Sequence, residues 1–196
     1  MAKPRTPKKE ILTLKVSLDE SKPEIWRRFK ISENMTLAGL HDVIQRVMGW
    51  QDYHLHEFEI EGKKYGPMHS DPPEDMIDEE SVRVSETIKR IGTEFKYIYD
   101  FGDDWVHTVI VENVRVPGKH EMVPYCIDGA MACPPEDSGG IHGYYEKLDI
   151  LQDPKHEEFK ETRQWMGKDF DKNKFDFDEV TTAVVLYKYK KKTPPN

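Results

Sequence analysis

Leu12, Leu14, Val16 and Leu18 alternate with Thr13, Lys15 and Ser17. A period of two puts the four apolar side chains on one face of a half-buried strand. Ser21-Lys22-Pro23 reads as a turn, and Ile25 to Ile31 as a second strand with Ile25, Phe29 and Ile31 on one face, so the two strands form a hairpin. After Thr36 the period changes. Leu37, Leu40, Ile44 and Val47 fall three and four apart, the stripe of a helix that Thr36 caps and Gly49 ends. Alternation returns from His54 to Ile60, with His54, His56, Phe58 and Ile60 on one face. Residues 66–80 read as a solvated, mobile loop, because six acids and no bases lie between Asp71 and Glu80. The alternating Asp/Asn and central Gly of a calcium loop are missing there.

Val82 to Val84 reads as a short strand, and Ser85 caps a helical turn closed by Gly92. Phe95, Tyr97, Tyr99 and Phe101 alternate, and Val106 to Val114 is a long β-rich run. Gly102-Asp103-Asp104 joins the two as a hairpin turn. Beyond the cysteines the character becomes helical. Tyr144 to Leu151 is a short amphipathic run. Asp153-Pro154 opens another that Gly167 stops, and Asp178 caps a last helix through Val184, Val185 and Leu186. The predicted fold class is α+β: a mostly antiparallel sheet of about five or six strands in a β-β-α-β-β-β core, with one helix packed on it and a C-terminal helical extension. Residues 1–9 read as a disordered basic arm and 191–196 as a tail. Between them, 10–190 read as one domain, with its sheet in 10–118 and the cysteine loop and helices in 119–190.

A chain of 196 residues buries enough surface to fold without a disulfide or metal. The net charge of −8 opposes generic nucleic-acid binding. Basic residues gather at both ends, at Lys3, Arg5, Lys8 and Lys9 and at Lys188, Lys190, Lys191 and Lys192, where short tails are ordinarily solvated. No apolar run spans a membrane and no signal-peptide core is present, so a cytoplasmic protein with no membrane partner is expected. In a reducing compartment Cys126 and Cys133 are then free thiols or metal ligands.

Three places concentrate chemistry. The segment from Tyr99 to His107 carries Asp100, Asp103, Asp104, Trp105 and His107 within nine residues. Adjacent carboxylates repel unless solvated, paired or bound to a cation, but turns also recruit Asp for backbone reasons alone. His54 and His56 offer two imidazoles one strand repeat apart, a spacing that chelates metals and equally suits packing at a sheet end. Cys126 and Cys133 are separated by six residues, outside zinc-knuckle spacing. A mixed site with histidine stays open, with Glu136 and Asp137 as further ligands or a base. Inert cysteines under a proline-braced loop are the plain alternative. Phosphate-loop, dinucleotide-binding, nucleophile-elbow and zinc-protease motifs are all missing.

Four blocks, taken in order, resemble one family. They are Ser21-Lys22-Pro23-Glu24-Ile25-Trp26-Arg27-Arg28; Leu40-His41-Asp42-Val43-Ile44-Gln45 through Gly49-Trp50 to His54-Leu55-His56-Glu57-Phe58; Tyr99 to His107; and Ala132-Cys133-Pro134-Pro135-Glu136-Asp137 with Gly139-Gly140. The chain resembles the plasmid ORF-three-like family first noted on pRi plasmids, across about residues 11 to 180. Members are often labelled transposon passengers of a TnpR, or resolvase, type. A recombinase needs a nucleophile among phosphate-binding arginines, and the few arginines here are scattered. Where the family commonly has a cysteine after Glu-Asp, this chain has Ser138, and Ile141-His142 lack a frequent proline. Both departures count against a family-wide zinc site being present in this chain.

The reading is a non-catalytic binding or interaction module for a protein or small-molecule ligand, without a cofactor. Its cleft is drawn from His54, His56, Asp100, Asp103, Asp104, Trp105, His107, Glu136 and Asp137. The alternative is a metal-dependent hydrolase or nuclease holding a divalent transition metal, with Asp103, Asp104, His54, His56, His107, Cys126 and Cys133 as possible ligands and Glu136 as base. A DNA resolvase ranks last.

Overall fold

A computed structural model describes residues 9–69, 72–88 and 90–190. The predicted basic arm, apart from Lys9, and the tail at 191–196 lie outside the described residues. The strands are β1 (Ile11–Leu18), β2 (Trp26–Ser32), β3 (His56–Ile60), β4 (Lys63–Gly66), β5 (Met76–Asp78), β6 (Glu94–Tyr99), β7 (Trp105–Arg115) and β8 (Tyr125–Ala130). Five helices accompany them: α1 (Leu37–Met48), α2 (Val84–Thr87), α3 (Gly140–Ile150), α4 (Phe159–Met166) and α5 (Phe177–Lys190).

All strands join one eight-stranded sheet in the order β5-β4-β3-β6-β7-β1-β2-β8. Every ladder is antiparallel except β4 with β5, which is parallel, so the sheet is mixed. It is also larger than the five or six strands expected from sequence. The extra strands are short. β5 lies inside the acidic stretch expected to be a loop, and its Met76-Ile77-Asp78 is too brief to show a period. β8 takes up Cys126, expected in a loop, and carries Asp128 and Gly129, residues that seldom signal a strand.

One sheet face is the core. Leu12, Leu14, Val16 and Phe29 are fully buried, as are Leu37, Leu40, Ile44 and Val47 of α1, so the two periods read from sequence meet face to face. Thr36 accepts the Gly39 N–H at 3.1 Å, and Gly49 ends α1 in the left-handed region at φ 91°, where only glycine pays no Cβ penalty. The opposite face is polar, as antiparallel sheets allow. Arg28 grips Glu112 through both carboxylate oxygens, at 2.5 and 2.8 Å, and Lys96 meets Asp19 at 2.6 Å.

Candidate functional site

The end of α1 sets the site. Past Gly49 the chain turns Trp50 inward, where its indole N–H donates to the Pro134 carbonyl at 2.9 Å and its ring stacks on Tyr99 at 5.0 Å. The next residues are tied down in turn. The Gln51 N–H donates to Glu136 Oε2 at 3.0 Å, and the Tyr53 N–H donates to the Tyr99 hydroxyl at 3.0 Å. That hydroxyl itself donates to Glu136 Oε1. Desolvation, then the Glu136 carboxylate, pushes the Tyr99 phenol well above its ordinary range, so it remains a donor. One tyrosine and one glutamate thereby fasten the 51–53 segment, β6 and the Pro-Pro-Glu-Asp loop together.

His54 emerges from this clamp. Its Nε2 is buried and makes no hydrogen bond, yet lies 3.1 Å from Asp137 Oδ1 and 3.6 Å from Asp100 Oδ2. Distance alone would suggest ion pairs, but the alignment of a hydrogen bond is missing. Separations of that size are those between neighbouring ligands bound at about 2.1 Å to one ion. Asp100 and Asp137 both sit at positive φ, 57° and 59°, a region that Asp enters more readily than most non-glycine residues. Asp100 Oδ1 accepts the Gly102 N–H at 2.9 Å, and both carboxylates face the one imidazole. The Asp100 side chain is 10% exposed and that of Asp137 is 67% exposed, so the group opens to solvent on the Asp137 side.

His56 goes elsewhere. Its ring stacks on that of His41, centroids 3.4 Å apart and 6° from parallel. His56 Nε2 meets Glu79 at 2.9 Å and His41 Nε2 meets Asp52 at 3.0 Å. His41 Nδ1 pairs with the Tyr97 hydroxyl at 2.8 Å, which also accepts the Gln45 amide at 2.9 Å. Ligand atoms of His41, Asp52 and His56 lie within 4.8 Å of one another, as do those of His54, Asp100 and Asp137. The two groups are not equivalent. Parallel rings hold their lone pairs in separate planes, and each imidazole already faces a carboxylate, so the stacked pair is closed as it stands. Of the two groups, only the His54 group has a buried ring nitrogen without a hydrogen bond.

The remaining sequence candidates are structural by position. His107 does not face the cleft: it is fully buried, Nδ1 lies 3.2 Å from the Tyr97 carbonyl, and desolvation lowers it to about 4. Trp105 is 1% exposed beside it. Asp103 accepts the Gly139 N–H at 2.9 Å at the start of α3, and Asp104 occupies the turn at φ 53°. Burial pushes the Cys126 and Cys133 thiols up to about 11 and about 12, and among the described residues neither joins a three-ligand cluster. Asp52, Glu79 and Tyr97 were missed from sequence as partners of this pair. The alternating tyrosines signalled a buried face, but the pairing of α1 with β3 that brings His41 to His56 leaves no local trace.

Among the described residues, no helix is long and apolar enough to cross a membrane. The sequence matches the family described as plasmid pRiA4b ORF-3-like protein over residues 10–179. It is 35% identical over 176 residues to the uncharacterized protein y4hQ of Sinorhizobium fredii, covering 89% of this chain and 90% of that protein. The fold matches the crystal structure of MM3350, a protein of unknown function from Methanosarcina mazei Go1, with a TM-score of 0.80 and 39% identity over 88% of this chain and 98% of that one. With most of its length matched, the chain belongs to the plasmid pRiA4b ORF-3-like family.

Proposed function

We propose that this protein is a non-catalytic binding module whose recognition site is a divalent transition-metal ion held by His54, Asp100 and Asp137. The observation that carries this reading is the buried, unbonded Nε2 of His54 between two carboxylates. With the imidazole neutral the group carries two negative charges, which a divalent ion offsets. The imidazole nitrogen suits a borderline ion such as Zn²⁺ better than Mg²⁺ or Ca²⁺, and the two carboxylates also admit the harder Mn²⁺. Three protein ligands leave coordination positions free toward solvent, where an oxygen donor of a ligand completes the shell. Exposed Tyr53, Leu55 and Phe101 adjoin the ligands in sequence, supplying contact area beside the ion.

Binding is favoured over hydrolysis by the state of Glu136. Both its oxygens are engaged, by Tyr99 and by Gln51, so the carboxylate proposed as a base serves as a brace. A resolvase fares worse. Arg27 is buried, Arg28 pairs with Glu112, and Arg115 with Glu121, which leaves no cluster of arginines for phosphates among these.

Calorimetric titration of metal-stripped protein with Zn²⁺ and Mn²⁺ tests the reading. One ion per chain is expected, with affinity lost in His54→Ala and weakened ~100-fold in Asp137→Ala, as loss of a ligand entails at least the 10–100-fold cost of a supporting partner. Undiminished affinity in His54→Ala rules the site out.

A further inference from the structure

We infer that the cavity between the end of α1 and the start of α5 binds a small organic monocarboxylate on the buried guanidinium of Arg27. This rests on observations separate from the His54 group. Arg27 is 3% exposed. Its Nε donates to the Val47 carbonyl at 2.9 Å, and Nη1 donates to the Trp26 and Ala130 carbonyls at 2.8 Å each. Nη2 makes no hydrogen bond among the described residues. The face of Phe175 lies 4.6 Å away.

Carbonyl dipoles and an aromatic face partly replace the water that Arg27 has lost, but they carry no net charge. No carboxylate lies within ion-pair distance among the described residues. The ionisable groups that act on Arg27 are Cys133 and Cys126, and both thiols are held neutral at pH 7. Desolvation lowers the guanidinium pKa, yet arginine stays protonated in proteins. A buried cation with no counter-ion is costly, and supplying the missing anion recovers much of that cost.

The space for one exists. Arg27 lines a cavity of about 410 Å³ whose apolar walls include Trp50, Phe170, Phe175 and Val180. A volume of that order suits a small molecule, and a planar carboxylate matches the guanidinium fork. The remaining charges select its valence. Asp169, Asp171, Asp176 and Glu179 line the same cavity against Arg46 and Lys174, and Lys174 is already paired with Asp176 at 2.9 Å. This excess of acids repels a phosphate dianion more than a monocarboxylate whose single charge sits on Arg27, leaving an apolar body against the aromatic walls.

The test is calorimetry and thermal unfolding with benzoate, acetate and inorganic phosphate as probes. Benzoate is expected to bind one per chain and raise the unfolding temperature by a few degrees at saturation. Acetate should bind more weakly, and phosphate not at all at the same concentration. Arg27→Met abolishes the effect but risks the fold, because Arg27 joins three carbonyls. Ala183→Trp therefore provides the second variant: it fills the cavity from α5, leaves Arg27 in place, and should fold yet lose benzoate binding. His54→Ala should retain it, which separates this site from the metal site. Absence of benzoate binding, its persistence in Ala183→Trp, or tighter phosphate than benzoate binding would each overturn the assignment.

Discussion

His41 and His56 lie face to face, their ring centroids 3.4 Å apart, and each hands its Nε2 to a different carboxylate. One imidazole comes from a helix and the other from a strand, so the stack fixes how α1 sits on β3. Burial is the largest influence on His56 and lowers its pKa, against the pull of Glu79. Glu79 is itself 5% exposed at the side chain, and its carboxylate faces His56 Nε2 at 2.9 Å.

Removing one member of that pair strands the other in the core. Glu79→Ala should cost about 1–3 kcal/mol, the penalty of leaving a buried hydrogen-bonding group unsatisfied, read from urea unfolding midpoints. A loss under about 0.5 kcal/mol, the scale of ordinary surface substitutions, would show that the pair is not buried as described.

His107 gives stability a pH dependence. Its folded value is about 4 against an ordinary 6.5, so between those pH values the unfolded chain binds more protons than the native state. The stabilisation is complete above pH 6.5 and falls as pH drops toward 4, by about 3 kcal/mol in all. In His107→Phe the total loss of stability between pH 6.5 and 4 should be smaller by about that amount, measured by urea denaturation across pH. An unchanged loss would mean His107 does not titrate as a buried neutral imidazole.

Gly139 and Gly140 both have positive φ, at 81° and 69°, but their surroundings differ. A Cβ at Gly140 would collide with the Asp103 carbonyl oxygen, whereas one at Gly139 would meet only Gly143 at 3.6 Å. Gly139→Ala should therefore cost only the left-handed penalty, about 1–2 kcal/mol. Gly140→Ala should cost clearly more. Equal losses in chemical denaturation would contradict the close approach of the turn to α3.

Asp103 acts at that same junction as an acceptor for the Gly139 N–H. Asp103→Ala should lower stability by about 1 kcal/mol, as loss of a helix N-terminal acceptor does, and should leave metal affinity unchanged. A matching drop in affinity would put Asp103 back among the ligands.

Where chemistry and local pattern coincided, the sequence was legible. The β1 alternation, the α1 stripe with Thr36 and Gly49 at its ends, and the Tyr97–Tyr99 face all appear in the structure. Strand β5 was illegible because three residues hold no period, and its pairing depends on β4 rather than on its own composition. Within the candidate cleft, His54, Asp100, Glu136 and Asp137 gather, while His56 and His107 point into the core. Strand parity put His54 and His56 on one face, but parity does not reveal which neighbouring element each imidazole meets. Arg27 shares strand parity with Phe29 and Ile31 and is buried with them. A charged residue at an inward position gives no sequence signal until the partner elements are known.

Pulsed electron paramagnetic resonance of the Mn²⁺-loaded protein, in wild type and in His54→Ala, tests the central claim most directly. Mn²⁺ in the His54, Asp100 and Asp137 group should show coupling to a single imidazole nitrogen, and that coupling should vanish in His54→Ala. Coupling to two imidazole nitrogens that survives the substitution would place the ion at His41 and His56 instead, contradicting the account.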